Sequence, residues 1–564
     1  MGPDSVANGS WSPSLSPDGG RCAYLSDRGG RPQVWVDDRL IDTGPSPVVA
    51  VQWSTVGDWL ACQLSPGGAP RHEVWIVRPD GSGLRQVAGS GADTAENMRW
   101  LPGRSPLAVT ENLTTALLID PDTGARTVVA KGELISLLDV SAGRALLRVG
   151  PRGARQVVSR DLVSGQDHFR VRGEQALWGP DGETVYARDE AGEFPALVRL
   201  DRGGSTVLAG SASAEIESFA LSPAGNALAV LRNVRGGESE ISLLSVDGGA
   251  DRRPALPGSV AAGLSWSFDG SRLAFAAEGP GQPHGVWVLH DGAIRAVSAP
   301  GAAEGAVRPT LETFPAHDGL ALSGWLFRPA GDGPWPTVVS LHGGPEAQER
   351  PGHQPLHQAL VSRGVAVFAP NVRGSSGFGR SFVNADNGPL RYAAIEDVRS
   401  CVRYLVGAGI SDKSLIGCMG RSYGGYLTLA ALTSFPDLFT VGVNVCGMSN
   451  FFTFYRYTEP WIAKAAISKY GDPARDERLL RDLSPINHLD RLRAPLLIVH
   501  GANDTNVPLI EATQLAAALT ERGHPHRLRI FPGEGHELLH HANRAAYLRE
   551  TVDWLTEHLL ADRT

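Results

Sequence analysis

Apolar positions before residue 300 fall in short runs, each introduced by a turn that ends in glycine. The first is Ser16-Pro17-Asp18-Gly19, followed by RCAYLS and then QVWV. The same sequence of turn, β-rich run, polar connection and second run returns at Gly57 (VGDWLACQL), Gly103, Gly143, Gly182 (PDGETVYAR), Gly225 (SPAGNALAVL) and Gly270 (FDGSRLAFAA). Intervals of 38, 46, 40, 39, 43 and 45 residues separate them. Alternation within runs such as Arg272-Leu273-Ala274-Phe275 predicts half-buried strands. A period near 40–45 with four short strands per unit is the pattern of a β-propeller blade. One blade cannot bury its own apolar faces, so seven units stack about an axis. A β-sandwich array is the alternative reading. The fourth copy, VSAGRALLRVG, carries the weakest markers.

From about residue 303 the period changes. GLALSGWLFRP reads as a strand of an opening hairpin. PTVVSLHGG, GVAVFAPNVRG, SLIGCMG, VGVNVCG, PLLIVHG and HRLRIFP read as buried strands. Helical runs lie between them: IEDVRSCVRYLVGAG, Ile510 to Arg522, and a last helix from Ala542 to Leu560. Continuous apolar strands alternating with helices imply a mostly parallel α/β sheet. The expected organisation is an N-terminal seven-bladed β-propeller at 1–302 and a C-terminal α/β-hydrolase domain at 303–564.

Composition narrows the class. The chain has 564 residues, 42% apolar and 20% charged, with 67 glycines and 39 prolines, so it is globular and rich in turns. Its formal charge of −8 argues against a general nucleic-acid binder. No apolar run approaches the ~20 residues of a membrane span, and the N-terminus has no signal-like apolar stretch. Five cysteines, Cys22, Cys62, Cys401, Cys418 and Cys446, are too few and too irregular for a disulfide framework or zinc site. They fit a reducing cytoplasm.

Three candidate groups fall at the carboxyl ends of predicted strands, where open α/β sheets place their ligands. The strand ending at Met419 runs into Gly420-Arg421-Ser422-Tyr423-Gly424 and then a helix, which is G-x-S-x-G at a strand-to-helix turn. Asp504 follows the strand LIVHG, and His536 follows the strand ending at Phe531. Serine hydroxyl is a weak nucleophile, so His536 is expected to take its proton, with Asp504 holding the imidazole. The developing oxyanion needs preorganised donors. The N–H of Tyr423 is one, and His342-Gly343-Gly344-Pro345 supplies the other, with Gly344 favoured. Each residue has an ordinary reading too: Asp504 as a turn former, His536 as a loop histidine. His342 and His500 read as loop braces, and Cys446 as buried packing.

These segments together resemble the prolyl oligopeptidase family of serine peptidases, with the acylaminoacyl-peptidase branch the nearest likeness. HGGP (342–345), NVRGSSGFGRSF (371–382), GRSYGGY (420–426), SPINHLDRLRAPLLIVHGANDTNVP (484–508) and FPGEGHE (531–537) carry the resemblance. It implies a propeller that restricts access to a hydrolase site, with Ser422, Asp504 and His536 as the triad and the Tyr423 and Gly344 N–H groups as oxyanion donors. It also places Asn506, second after the triad aspartate, near the carbonyl beside the scissile residue. Several acylaminoacyl-peptidase relatives have Arg there, and a turn-forming Asn is the other reading. Many relatives carry an N-terminal extension, whereas this chain enters its first blade by Trp11.

Substrate contacts are expected in two places. CGMSNFFTFYRYTEPW (446–461) reads as an aromatic loop whose Phe451, Phe452, Phe454, Tyr455, Tyr457 and Trp461 line an apolar subsite, with ordinary packing accounting for at least half of them. Glu346 is placed to meet a substrate ammonium group, or to pair with Arg350 or Arg373. In the propeller, Asp189, Glu190, Glu193, Glu238 and Glu240 either face the channel or are solvated loop charges.

The expectation is a serine peptidase cleaving amide bonds of short peptides at or near the N-terminus through an acyl-enzyme on Ser422. No metal or organic cofactor is called for. The partner is a short peptide or peptide-like small molecule, not nucleic acid or membrane, and a homo-oligomer is compatible with the sequence. Competing readings are an esterase or amidase acting on a peptide-like secondary metabolite, and an inactive propeller scaffold for protein interaction.

Overall fold

The computed structural model describes residues 7–561 other than 102, 104, 105, 152 and 248–250. Two compact units divide it: Asn8–Pro66 with Arg71–Gly301, and Gly67–Pro70 with the chain from Ala302 onward.

The first unit holds seven antiparallel sheets, each built from one continuous stretch of chain: residues 10–41, 48–88, 95–131, 135–172, 176–209, 215–245 and 260–298. Six have four strands. Among the described residues the sixth has three, with an antiparallel bridge from Leu243 of its third strand to Arg252. The glycine period has a physical origin in the turns. The N–H of Gly19, Gly57, Gly182, Gly225 and Gly270 closes back on the carbonyl three residues earlier, at 2.8–3.1 Å. All five sit at φ between 65° and 88°, where a side chain is strained. The weakly marked fourth copy turns by Ala142 (φ 47°) and Gly143 (φ 76°) between the paired Ser141 and Arg144. That is a two-residue hairpin turn with both central residues left-handed, a different way to reverse the same strands.

Burial follows the expected logic of stacking. Each apolar cluster of this unit is shared by two neighbouring blades, as where Val34 and Val36 of the first meet Trp53 and Leu60 of the second. The first and last blades close the circle through Leu15, Cys22 and Tyr24 against Ala274 and Val286. Ser10 Oγ and Ser298 Oγ meet at 2.9 Å, and Arg272 Nη1 donates to the Gly19 carbonyl at 2.6 Å. Among the described residues no strand is exchanged between these blades.

The second unit is one eight-stranded sheet: β1 (Thr310–Pro315), β2 (Ala321–Phe327), β3 (Trp335–Leu341), β4 (Ala366–Asn371), β5 (Ser411–Arg421), β6 (Val441–Val445), β7 (Leu496–Gly501) and β8 (His526–Phe531). Their order is β1-β2-β4-β3-β5-β6-β7-β8. The β1–β2 hairpin and the β2–β4 pair are antiparallel; every other pair is parallel. The central parallel strands β6 and β7 are buried along their whole length because both faces are covered, whereas the edge strand β8 (HRLRIF) is only partly buried. In β7, Leu496 and Ile498 enter one core with helices α2 (Arg391–Gly407), α3 (Tyr423–Ser434) and α6 (Ile510–Glu521). Leu497 and Val499 enter the other with α1 (Pro355–Ser362) and α7 (His541–Leu560).

The expected aromatic loop after β6 is instead largely helical: α4 (Phe451–Tyr457) and α5 (Pro460–Tyr470). Asn450 caps α4 by accepting from Phe452 N at 3.0 Å. Buried Glu511 takes the Ser449 and Asn450 N–H groups at 2.8 Å each. Among the described residues no helix is long and apolar enough to cross a membrane.

Candidate active site

β5 ends at Arg421 and α3 starts at Tyr423, which leaves Ser422 alone at the corner with φ 56° and ψ −120°. A non-glycine residue held there costs on the order of 1–3 kcal/mol. The surroundings enforce it: Ser422 N donates to the Val445 carbonyl at 2.8 Å, and Tyr426 N donates to the Ser422 carbonyl at 3.0 Å. Glycines flank it because nothing larger fits. A Cβ on Gly420 would lie 2.2 Å from the Gly424 carbonyl oxygen, and one on Gly424 would lie 2.0 Å from that of Leu341.

Asp504 and His536 arrive from the ends of β7 and β8. His536 Nδ1 and Asp504 Oδ2 are 2.7 Å apart. Asp504 Oδ1 accepts the N–H groups of Asn506 and Val507 at 2.9 Å each. Burial alone raises the Asp504 carboxyl, but the His536 and His500 rings and these donors hold it below its ordinary value. It therefore stays ionised and ready to orient the imidazole. The His536 loop is tied from below by fully buried Glu534, which accepts Leu539 N at 2.8 Å, His540 N at 3.0 Å and Asn543 Nδ2 at 2.7 Å. Among the described residues no hydrogen bond joins Ser422 Oγ to His536. In ligand-free hydrolases this contact is often long and tightens with substrate.

The loop after β3 passes beside the serine. A Cβ on Gly343 would lie 3.4 Å from Ser422 Cβ. Gly344 has φ 128°, and a Cβ there would meet Glu346 N at 2.8 Å. Tyr423 begins α3, so its N–H has no partner within the helix. His342 is braced by Ser375 Oγ at 2.8 Å and the Gly343 carbonyl at 2.7 Å, and burial lowers its pKa, as the bracing role requires.

The remaining expected residues divide. Phe451 and Phe454 do not line an open subsite. They are 0% and 3% exposed, packed against Tyr426, Tyr455 and Tyr470, because the capped helix α4 turns that face inward. Tyr457 is half-exposed and Trp461 partly exposed. Asn506 is partly exposed, and its backbone N–H donates to Asp504 Oδ1 at 2.9 Å. Glu346 meets Lys469 Nζ at 2.9 Å, while Arg373 binds Asp318 and Asp397. In the propeller unit, Glu190 pairs with Arg188, Glu238 with Arg235, and Glu240 with Arg235 and Arg253.

Two contributions escaped sequence reasoning. Arg421, the variable residue of G-x-S-x-G, donates to the His536 carbonyl and to Glu537 at 2.5 Å, so the residue before Ser422 holds the His536 loop. Cys446 and His500 lie beside Asp504, with ligand atoms of all three within 4.8 Å. Burial, and then the Asp504 charge, push the Cys446 thiol far up, and His500 Nε2 donates to the Val507 carbonyl at 2.8 Å. With Asp504 engaged by His536 and two amides, this trio reads as support for the carboxylate rather than as a metal centre. No spacing in the sequence announces either feature.

Sheet order, strand-to-helix serine and the strand-end histidine and aspartate define an α/β-hydrolase. Residues 353–562 match the model of the prolyl oligopeptidase family. The chain is 36% identical over 233 residues to dipeptidyl aminopeptidase BIII of Pseudoxanthomonas mexicana, covering 40% of this chain and 34% of the relative. It is 30% identical over 234 residues to acylamino-acid-releasing enzyme 2 of Oryza sativa subsp. japonica, covering 40% and 30%. The matched segment thus spans about a third of these relatives' length. The crystal structure of a puromycin hydrolase shares the fold across 98% of this chain and 95% of its own, with a TM-score of 0.84 at 18% identity.

Proposed function

We propose that this protein is a serine peptidase that hydrolyses amide bonds of short peptides at or near their N-terminus. The observation that carries this reading is the 2.7 Å pairing of His536 with ionised Asp504 at adjacent strand ends, in the unit that holds Ser422 at a strained corner. Ser422 Oγ attacks the scissile carbonyl as its proton passes to His536 Nε2. Asp504 fixes the ring and stabilises the imidazolium. The N–H groups of Tyr423 and Gly344 receive the oxyanion, each worth about 2.7–4 kcal/mol. His536 then gives its proton to the leaving amine, and water repeats the sequence on the acyl-enzyme. Relatives named for aminopeptidase and acylamino-acid-releasing activity support action at the N-terminal end. Five free, buried cysteines support a reducing, cytoplasmic setting.

The test uses aminoacyl and N-acetyl-aminoacyl p-nitroanilides with a fluorophosphonate probe. Wild type hydrolyses at least one and is labelled at Ser422, whereas Ser422→Ala loses both, with at least a thousandfold drop in kcat. Undiminished hydrolysis by Ser422→Ala overturns the reading.

A further inference from the structure

Behind the serine lies a buried ion cluster that the mechanism above does not use. Arg391 is fully buried and bonds Asp386 and the Tyr423 hydroxyl through Nη1, and the Lys469 carbonyl through Nη2 at 2.8 Å. Its guanidinium lies over the neighbouring rings of Tyr423 and Tyr470, at 4.8 and 5.0 Å from their centroids. The Tyr423 hydroxyl also reaches Asp386 Oδ2 at 3.3 Å. Lys469 Nζ meets Glu346 at 2.9 Å, Asp386 at 3.6 Å and the Val383 carbonyl at 2.8 Å. Two cations thus face two anions, with side chains at most 14% exposed.

The ends of this chain of contacts are what matter. Tyr423 carries one expected oxyanion donor on its backbone. Glu346 is two residues after Gly344, which carries the other. Between them run Lys469, Asp386 and Arg391, with no break wider than 3.6 Å. Gly374, in the NVRG segment, admits the cluster: a Cβ there would lie 2.2 Å from Asp386 Oδ2. Buried ion pairs are poor sources of net stability, because desolvation offsets their attraction. They do fix geometry, since each partner has only one satisfactory position. Oxyanion donors are the groups for which position decides rate, as misplacement by about 1 Å can cost a hundredfold.

We propose that Lys469 and Arg391 are positioning residues that hold the two oxyanion donors at their working separation. Lys469 restrains the Gly344 arm through Glu346, and Arg391 restrains the Tyr423 arm through its phenol. Glu346 is in this scheme a structural anchor, its charge matched within the protein. The inference rests on the proposed serine chemistry, and one experiment separates the two. Wild type, Lys469→Met, Lys469→Arg and Tyr423→Phe are compared for kcat, KM, fluorophosphonate labelling and inhibition by a peptide trifluoromethyl ketone, whose adduct carries the oxyanion. Lys469→Met is expected to lower kcat about thirtyfold and weaken the ketone by the same factor, with KM within twofold. Lys469→Arg recovers most of both. Tyr423→Phe, which keeps the backbone donor and removes only the hydroxyl, gives a similar pattern of about fivefold and serves if Lys469→Met does not fold. Wild type that neither labels nor binds the ketone overturns the serine reading itself. A labelled wild type with either variant at wild-type kcat, or with kcat lost but ketone affinity kept, overturns the positioning role alone.

Discussion

Arg235 in the propeller unit meets Glu238 and Glu240 with 61% of its side chain exposed, while Arg391 in the hydrolase unit meets Asp386 with none of it exposed. The same chemistry is used at opposite energetic stakes. An exposed pair gains up to about 1 kcal/mol and is screened by salt. A buried charge is tolerated only with its partners in place. The propeller repeats a cheap device around a ring: glycine turns, apolar faces shared between neighbours, charges at the rim of each blade. The propeller unit buries carboxylates too, among them Asp139 and Glu111, but pairs them with part-exposed arginines, whereas the hydrolase unit buries both partners of Arg391–Asp386 and of Arg373–Asp397. Costly burial marks where geometry is being held.

That contrast is open to test, beginning with the catalytic pairing. Asp504→Asn leaves the fold intact and removes the ionised partner of His536, so kcat should fall by about a thousandfold or more, as measured on p-nitroanilides. A loss under tenfold would detach burial from function at this position. Breaking a buried pair elsewhere in the unit comes next. Arg373→Met strands Asp397, whose side chain is fully buried, and should destabilise the hydrolase unit by about 3–5 kcal/mol, read by hydrogen exchange of that unit in the full chain.

Acid should separate the units as well. Burial lowers His357 from 6.5 to about 4. Between those values the unfolded chain binds a proton that the folded one refuses, so stability falls as pH drops from 6.5 toward 4, by ~3 kcal/mol from this residue. Buried His342 and His500 are shifted the same way. His357→Phe should flatten the slope in urea unfolding at pH 7 and pH 4.5. The smallest effect is expected at the propeller surface, where Arg235→Ala should change stability by about 0.5 kcal/mol or less. An effect there comparable with that of Arg373→Met would break the comparison.

What could be read from the chain follows the range of the interactions. Turn glycines and alternating strands are local, so the blades were visible, and so was the parallel sheet with its strand-end serine, aspartate and histidine. The edge of the sixth blade was not, because among the described residues it is reduced to the Leu243–Arg252 bridge, and a single pairing leaves no pattern. The aromatic run at 451–461 reads as a loop although Asn450 caps its helix locally, because the turn before that helix is held by Glu511, about sixty residues on. Phe451 and Phe454 were consequently sent to a pocket when they belong to the core. Lys469, which meets Glu346, lies more than a hundred residues further along the chain. Long-range ion pairs leave no periodic trace in a sequence.

The five cysteines are all free and buried, and burial drives every thiol up, with those of Cys22, Cys62 and Cys418 reaching about 12. Thiolate is the reactive form. The native protein should therefore ignore maleimides while folded. One cysteine engineered onto any exposed turn would then take a dye or spin label by itself, with no need to strip out the natural ones.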